Sequence, residues 1–156
     1  MNRLFATTMI WLALLVGVAQ ASCRDDRVDL RGPWGQARFT VEIADTDALR
    51  AQGLMHRERL ARSAGMLFIY EAPTSPSFWM RNTLIPLDML FVDPTGQVTR
   101  LHENAQPHDE TPIPGGANVL MVLEINGGLS AMLGISEGSE MRHPRLDQDT
   151  ALWPCE

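Results

Sequence analysis

The sequence predicts a mainly β (α+β) domain, built as a compact, antiparallel, barrel-like sheet with two or three short helices. Residues 87–93 and 97–103 are two expected strands joined by Pro94-Thr95-Gly96, which is the pattern of a β-hairpin. Residues 119–125 are apolar at every position except Glu124, which is typical of a central strand. Together with the other short apolar segments, these strands favour a barrel-like sheet.

Residues 1–21 have the features of a secretory signal peptide. Arg3 supplies a positive charge, residues 4–18 are almost entirely apolar, and Ala19-Gln20-Ala21 fits the small-x-small cleavage pattern. The apolar run is too short to span a bilayer comfortably, and no later segment approaches the roughly 20 apolar residues that spanning needs. The sequence therefore predicts a periplasmic or secreted protein with no transmembrane segment after cleavage.

The mature chain is expected to form one domain with a negative net charge. Removing residues 1–21 leaves 135 of 156 residues, which is close to the usual size of a domain. It also removes Arg3, one of 13 basic side chains, and leaves 12 against 19 acidic ones, a net charge of about −7. Such a chain is a poor partner for nucleic acid and for anionic membrane surfaces.

Three regions are predicted after the signal peptide. Residues 22–36 are interpreted as a polar N-terminal arm that ends in a Gly- and Pro-rich turn. Residues 37–145 are predicted to form the single globular domain. Residues 146–156 are interpreted as a polar tail that is loose until Cys155 is fixed.

The globular domain is expected to begin with a strand and a short helix. Residues 38–43 alternate polar and apolar side chains, as a half-buried strand does. Asp45 or Thr46 can cap a helix over residues 47–52, and Gly53 is placed to end it.

The next segments continue the sheet. Residues 65–70 form an apolar run that predicts a buried strand. Residues 71–76 are expected to be a loop because Pro73 and Pro76 cannot donate ladder hydrogen bonds. Residues 77–80 are expected to be a strand that leads into a corner.

The second half of the domain contains one long connection. Residues 105–118 are rich in proline and glycine and are predicted to form a surface loop. A short helix is expected over residues 127–133, closed by Gly134. Residues 139–143 are the last expected strand.

The densest group of candidate functional side chains lies at residues 78–88. Asn and Thr favour turns because their side chains bond to nearby backbone, and Pro86 fixes its own φ and pushes the preceding residue toward an extended conformation. The segment is either a β-corner held by its own hydrogen bonds or a rigid polar site. It carries a guanidinium, an amide, a hydroxyl and a carboxylate, those of Arg81, Asn82, Thr83 and Asp88.

Glu124 is the strongest anomaly in the sequence, because an ionised carboxylate is rarely buried without a partner. Arg57 and Arg81 are the expected partners, since a guanidinium can bind a carboxylate through two hydrogen bonds. The pair would be either a buried ion pair that stabilises the fold or part of a polar ligand pocket.

The two cysteines, Cys23 and Cys155, lie at opposite ends of the mature chain. Disulfides persist in the compartments that exported proteins enter, and the termini of a domain are often close in space. A disulfide between the two is therefore expected. The alternatives are that both lie on frayed ends, or that Cys23 carries a lipid.

Five segments together resemble the bacterial and archaeal family known as domain of unknown function 192 (DUF192). The resemblance covers roughly residues 37–143 and implies a compact β-rich domain, often behind a signal peptide, with no assigned activity. The segments are residues 53–57 (GLMHR), 65–68 (GMLF), 78–88 (FWMRNTLIPLD), 91–93 (FVD) with Gly96, and 122–128 (VLEINGG).

The leading functional hypothesis is a non-catalytic envelope module that binds a small polar ligand or an envelope protein at the corner from Trp79 to Asp88. No cofactor is expected, and no motif for a nucleophile or a phosphate site is present. The candidate ligand-binding or structural cluster consists of Arg57, Trp79, Arg81, Asn82, Thr83, Asp88 and Glu124.

Two further hypotheses use some of the same residues. A hydrolase would use Asp88 and Glu124 as general base and acid. A copper-handling protein would use the soft ligands Met55, His56, Met66 and Met80 beside Trp79. The four histidines, His56, His102, His108 and His143, are dispersed and show no zinc spacing, so no zinc site is predicted.

Overall fold

A computed structural model describes residues 23–155. The signal peptide predicted for residues 1–21 lies outside the described residues. The described part contains nine strands and two helices: β1 Arg27–Gly32, β2 Gly35–Ala44, α1 Asp47–Gln52, β3 Ala64–Thr74, β4 Ser77–Phe78, β5 Leu87–Val92, β6 Val98–Ala105, β7 Ile113–Pro114, β8 Val119–Asn126, α2 Leu129–Leu133 and β9 Glu140–Arg142.

Seven strands form one curled sheet in the order β6-β5-β8-β3-β2-β1-β9. Neighbouring strands are antiparallel except for β2 and β3, whose parallel pairing requires the crossover that contains α1. The two outer strands approach each other at one end, where Gln97 bridges to Glu140 and the Val98 amide donates to the Ser139 carbonyl at 2.8 Å. The sheet is therefore a half-barrel, as the sequence predicts, with β8 among its central strands.

The curled sheet buries apolar side chains on both of its faces. All seven strands contribute to one core cluster, which identifies that face as the inner one. A second cluster covers the outer face of β3, β5 and β8, where residues from outside the large sheet, such as Leu54, Met80 and Ile113, pack on it. Along β8 the side chains alternate, so Leu123 and Ile125 point inward and Val122 points outward.

Much of the segment predicted as a polar N-terminal arm, residues 22–36, is part of the sheet. Residues 27–32 form β1, which pairs with both β2 and β9. Val28 and Leu30 are fully buried in the inner core. These two apolar residues alternate with charged ones, which is a strand pattern, but it is too short to separate from a polar arm by sequence alone.

Two loops are more ordered than the sequence predicts, and one strand is shorter. β3 continues to Thr74, which pairs with Val119 after a register shift, so the segment at 71–76 is partly strand. The long connection at 105–118 contains β7, which pairs with β4. The strand expected over residues 77–80 ends at Phe78, because the Met80 amide instead donates to the Asp109 carbonyl.

Both helices are two turns or less. In α1 the Thr46 hydroxyl accepts from the Leu49 amide at 3.2 Å, and Gly53 ends the helix at a φ of 50°. α2 begins two residues later than expected, and Gly134 ends it at a φ of 78°. Positive φ values of this kind favour glycine, so the predicted helix ends are confirmed.

The disulfide between Cys23 and Cys155 is present, with the two Cα atoms 5.7 Å apart. The tail that it fixes packs on the sheet. Trp153 lies against Arg31 and Arg142, whose guanidinium carbons are 4.6 and 4.4 Å from its ring centroid. Within residues 23–155, no helix has the length and apolar character needed to cross a membrane.

Candidate functional site

Residues 79–88, the corner, turn tightly and are held by backbone hydrogen bonds from two other segments. The Thr83 amide donates to the Met80 carbonyl at 3.1 Å, which closes the turn. The carbonyls of Asn82 and Thr83 accept from the amides of His56 and His108, at 2.8 and 3.2 Å. The corner therefore ties the segment after α1 to the loop before β7.

Three residues that form these backbone hydrogen bonds are not glycine, yet their backbone lies in the left-handed conformational region. The φ values are 64° for His56, 54° for Asn82 and 63° for His108. This conformation is uncommon for non-glycine residues, although Asn and His adopt it more often than most. Backbone in sparsely populated regions is concentrated at functional sites, so the corner is the first place to look for one.

A cavity of about 260 Å³ lies between the corner and the outer face of the sheet. Its walls include four aromatic rings, those of Phe68, Tyr70, Phe78 and Trp79. Polar groups of Arg50, Ser77 and Thr83 also line it, and no acidic residue does. We call it the corner cavity. A larger cavity of about 540 Å³ at the β1–β2 hairpin holds none of the predicted site residues.

Arg50 is the charged residue that lines the corner cavity, and it is held rigidly. It donates to the Ile69 carbonyl at 2.7 Å and to the Asp47 carboxylate at 2.6 Å, and its guanidinium carbon is 5.2 Å from the centroid of Tyr70. Burial raises the pKa of Tyr70, so its hydroxyl stays protonated. Sequence analysis missed both residues, because α1 and the end of β3 show no motif that brings them together.

Trp79 forms the exposed edge of the cavity. Its side chain is 48% exposed, and the Arg81 guanidinium carbon is 5.5 Å from its ring centroid. Arg81 also approaches Glu110 at 4.0 Å on the surface. Thr83 is buried, and its hydroxyl donates to the Arg81 carbonyl at 3.3 Å. Of the predicted cluster, Trp79 and Thr83 line the cavity, while Arg81 and Asn82 shape the corner around it.

Asp88 lies on the inner face of the sheet and has a different role. Its carboxylate is fully buried and accepts three backbone hydrogen bonds, from the amides of Asn104 at 2.7 Å, Gly128 at 2.8 Å and Ser130 at 2.7 Å. It satisfies the free amides at the start of α2 and joins them to the end of β6. Asp88 therefore stabilises the fold and does not reach the corner cavity.

Replacing Asp88 by asparagine is expected to lower the free energy of unfolding by about 2 to 4 kcal/mol, because a buried amide cannot accept all three hydrogen bonds. Asp93→Asn is the matched control, since Asp93 also accepts three hydrogen bonds, from the Thr95 amide and hydroxyl and the Gln97 amide, but at a partly exposed turn. The control should lose only about 1 kcal/mol. Equal losses in urea titrations of the two variants would contradict the assignment.

Glu124 lies on the outer face, buried among apolar side chains. It is 4% exposed and pairs in register with Met66 on one side and Met89 on the other. Burial raises its pKa to about 8 and is the only cause of the shift. Among residues 23–155, no side chain or amide is hydrogen-bonded to its carboxyl group.

The predicted pairing of Glu124 with Arg57 or Arg81 is therefore wrong. Arg57 binds Glu42 instead, through two hydrogen bonds of 2.5 Å, and Arg81 remains at the corner surface. Glu42 is on the same row of the outer face, with Met66 between it and Glu124. The sequence could not show which of two glutamates on this face Arg57 would reach.

Arg57→Ala is expected to lower the free energy of unfolding by less than about 1 kcal/mol, because the Arg57–Glu42 pair is partly exposed. The loss should shrink further in high salt, which screens exposed charges. A double-mutant cycle with Glu42→Gln measures the pair directly. A loss of about 3 to 5 kcal/mol would instead indicate a buried pair and contradict the geometry.

Asp88 and Glu124 cannot act on one substrate as an acid and base pair. Asp88 is opposite Ile125 and Met89 is opposite Glu124, so the two carboxyl groups occupy adjacent positions in the ladder. Adjacent positions point to opposite faces of a sheet. The geometry therefore gives no support to the hydrolase hypothesis.

The residues of the copper hypothesis serve other roles. Met66 and Met80 are buried in the outer core, which is the usual use of methionine. His56 is exposed and its backbone holds the corner. In the described range, no group of three or more His, Cys, Asp or Glu residues is arranged to hold a metal ion.

Comparison with known proteins supports one identification. The family model DUF192, described as "Uncharacterized ACR, COG1430", matches residues 30–143, which is most of the chain. The chain belongs to the DUF192 family. No curated protein matches it. The DUF192 segments at 53–57 and 78–88 supply Gly53, Trp79 and Thr83 to the corner cavity.

Two solved structures are similar to this DUF192 protein. One is a protein of unknown function from Novosphingobium aromaticivorans DSM 12444, with 46% identity, a TM-score of 0.73, and coverage of 74% of this chain and 82% of the other. The second is a putative transcription regulator from Sinorhizobium meliloti 1021, with 40% identity, a TM-score of 0.73, and coverage of 78% and 95%. Both support the fold and neither assigns an activity to this chain.

Proposed function

We propose that this DUF192 protein is exported and binds a small polar ligand in the corner cavity without catalysing a reaction. The observation that carries the proposal is the cavity itself, in which four aromatic rings and the fixed guanidinium of Arg50 surround a space of about 260 Å³. Ligand sites commonly combine apolar walls with a few polar groups held in place. The volume is slightly below the roughly 300 Å³ at which typical ligand pockets begin, so it suits a small molecule.

The absence of a reactive pair among the described residues supports binding over catalysis. Asp88 is occupied by three backbone amides on the inner face. The corner cavity has no acidic residue in its walls, and Ser77 and Thr83 have no base bonded to them. A nucleophile needs such a base within hydrogen-bond reach.

Binding is tested by a thermal-shift screen of the mature protein against sugars, amino acids, amines, nucleotides and metal ions. A specific ligand at about 100 times its dissociation constant should add about 2.7 kcal/mol to the stability of the folded state. Trp79→Ala should weaken that ligand's binding, whereas Leu152→Ala, which removes another exposed apolar side chain, should not. If no ligand stabilises the protein, or if Leu152→Ala has the same effect as Trp79→Ala, the proposal fails.

Export is the second part of the proposal and rests on residues 1–21. Cleavage would leave Ser22 as the first residue and place Cys23 directly after it. Mass spectrometry of the periplasmic or secreted fraction should find a mature chain that begins at or near Ser22. An exported chain that retains Met1, or one that carries a lipid on Cys23, would contradict cleavage before Ser22, and a chain that stays in the cytoplasm would contradict export.

A further inference from the structure

Arg50 is the cation in the wall of the corner cavity, and its own hydrogen bonds do not use all of its donors. Nη1 donates to the Ile69 carbonyl at 2.7 Å, and Nη2 donates to the Asp47 carboxylate at 2.6 Å. A guanidinium has more N–H donors than these two hydrogen bonds use, and Nε is among the remaining ones. The protein therefore holds this guanidinium in one position and leaves it N–H groups for a second acceptor.

The negative charges near Arg50 do not cancel its charge within the corner cavity. Of the described residues, Asp47 is not one that lines the cavity, and its side chain is 100% exposed, whereas that of Arg50 is 16% exposed. Water and salt screen such an exposed carboxylate, so the pair is weak. The last residues of α1 also line the cavity, but a helix C-terminus carries a partial charge of only about −0.5. The wall therefore keeps an excess of positive charge.

The rest of the wall combines hydrogen-bond donors with apolar rings. The centroid of Tyr70 is 5.2 Å from the guanidinium carbon of Arg50, and burial raises the pKa of Tyr70, so its hydroxyl remains a donor at neutral pH. Ser77 adds a second hydroxyl, and the rings of Phe78 and Trp79 add apolar surface. A complementary ligand has a negatively charged end that accepts hydrogen bonds and an apolar body.

A second arginine, Arg31, shows what distinguishes Arg50. Arg31 also donates to a carboxylate and to a backbone carbonyl, those of Glu140 and Leu152. It also lies against an aromatic ring, that of Trp153. However, Glu140 lines the same cavity at the β1–β2 hairpin as Arg31, and no aromatic residue of the described chain does. The charge of Arg31 is therefore neutralised inside its own cavity, whereas that of Arg50 is not.

We propose that the ligand of the corner cavity is a small monocarboxylate with an apolar body, whose carboxylate is bound by Arg50. This inference rests on the proposed binding function and specifies its ligand class. Arginine suits the task because its planar N–H groups match the two oxygens of a carboxylate and it stays charged at every relevant pH. The aromatic rings of the wall provide the surface on which the apolar body is buried.

The test uses four probes: benzoate, benzamide, benzylammonium and acetate. Chemical-shift titration of the mature protein at pH 7 and low salt should show benzoate binding about tenfold more tightly than benzamide, which keeps the shape without the charge. Benzylammonium, with the opposite charge, should bind more weakly still. Acetate, which lacks the apolar body, should also bind at least about tenfold more weakly than benzoate. The indole N–H signal of Trp79 should shift on benzoate binding and so locate the site.

Arg50→Gln should weaken benzoate binding by about tenfold or more and leave benzamide binding nearly unchanged, because it removes the charge from the wall. Arg31→Gln is the matched control, since Arg31 makes the same kinds of contact at the other cavity. The control should leave the binding of every probe unchanged. Amide spectra of both variants show whether each has kept the fold.

Asp47→Asn provides a reading that a purely structural role for Arg50 would not give, and it does not depend on the folding of Arg50→Gln. It removes the carboxylate that competes for the guanidinium and leaves the cavity wall intact, because Asp47 is exposed and lies outside the wall. Benzoate should therefore bind about two- to threefold more tightly to this variant, whereas benzamide should not. If Arg50 only joined α1 to β3, the loss of Asp47 would leave benzoate binding unchanged or weaken it, which would overturn the inference.

The possible outcomes separate this inference from the binding proposal. If benzamide or benzylammonium binds as tightly as benzoate, and Trp79→Ala weakens that binding, the cavity binds a ligand but the carboxylate assignment is overturned. Benzoate binding that Arg31→Gln abolishes and Arg50→Gln leaves intact would also overturn it, since the carboxylate would then be bound at the other cavity. If no probe binds at concentrations up to about 50 mM, the inference is overturned as well. If in addition the broader screen finds no ligand, the binding proposal fails with it.

Discussion

Glu124→Gln is expected to make the protein more stable than its parent at pH 8 and above, by roughly 3 to 5 kcal/mol. The folded-state pKa of Glu124 is raised from 4.5 to about 8 by burial, so the folded protein holds a proton that the unfolded chain releases. Between these pH values the parent should therefore lose about 1.4 kcal/mol per pH unit as the pH rises. The stability that protonated Glu124 contributes to the folded state is fully present below pH 4.5 and has been lost by about pH 8.

Urea unfolding of parent and variant at several values between pH 5 and pH 9 measures this difference. His143, whose pKa is lowered by burial, changes stability in the acid range in both proteins and cancels in the comparison. Glu42→Gln is the control, because the pKa of Glu42 is lowered by its hydrogen bonds to Arg57 and its removal should not produce the same slope. A difference between parent and Glu124→Gln that does not vary with pH would contradict the assignment of a buried, neutral Glu124.

The disulfide is expected to make the second large contribution to stability. It joins residues 132 positions apart, and in the chain-entropy model a loop of that length contributes about 5 kcal/mol. Replacing Cys23 and Cys155 together by serine should lower the melting temperature by roughly 15 °C. Because β1 and β9 hold the adjacent segments in the sheet, the variant should still fold with the same strands.

Calorimetric melting of the oxidised parent, the reduced parent and the double variant tests this expectation. The reduced parent and the double variant should melt together, since both lack the bond and differ little otherwise. Thiol titration of the unreduced, denatured protein should find no free thiol. Two free thiols there, or equal melting temperatures for all three proteins, would contradict the predicted contribution.

Most of the fold could be predicted from the sequence because its signals are local. The hairpin at Pro94-Thr95-Gly96, the capped helix from Thr46 to Gly53 and the apolar run of β8 each depend on neighbouring residues only. β1 was missed because Val28 and Leu30 become a recognisable strand only when β2 and β9 pair with them. The pairing of β1 with β9 joins segments more than 100 residues apart and leaves little trace in either segment.

The candidate site was only partly predictable, for a related reason. The composition of residues 78–88 indicated a rigid polar corner, and Trp79 and Thr83 do line a cavity. The partners of Asp88, Arg57 and Glu124 depend on which face of the sheet each side chain occupies. A shift of one residue in register reverses the face, and the sequence does not specify register across distant strands. Arg50 and Tyr70 carried no signal, since their contact forms only in the folded protein.

The disulfide also determines how the domain bears mechanical load. Tension applied to the chain beyond Cys23 and Cys155 would pass directly through the bridge, whose Cα atoms are 5.7 Å apart. The sheet between them would carry almost none of the force. In the oxidised state, pulling at both ends would therefore not extend the domain. A translocating enzyme that pulls the chain through a pore from one end would have to accommodate a covalently closed loop. After reduction, the same tension would act on β1 and β9 and separate them from the half-barrel.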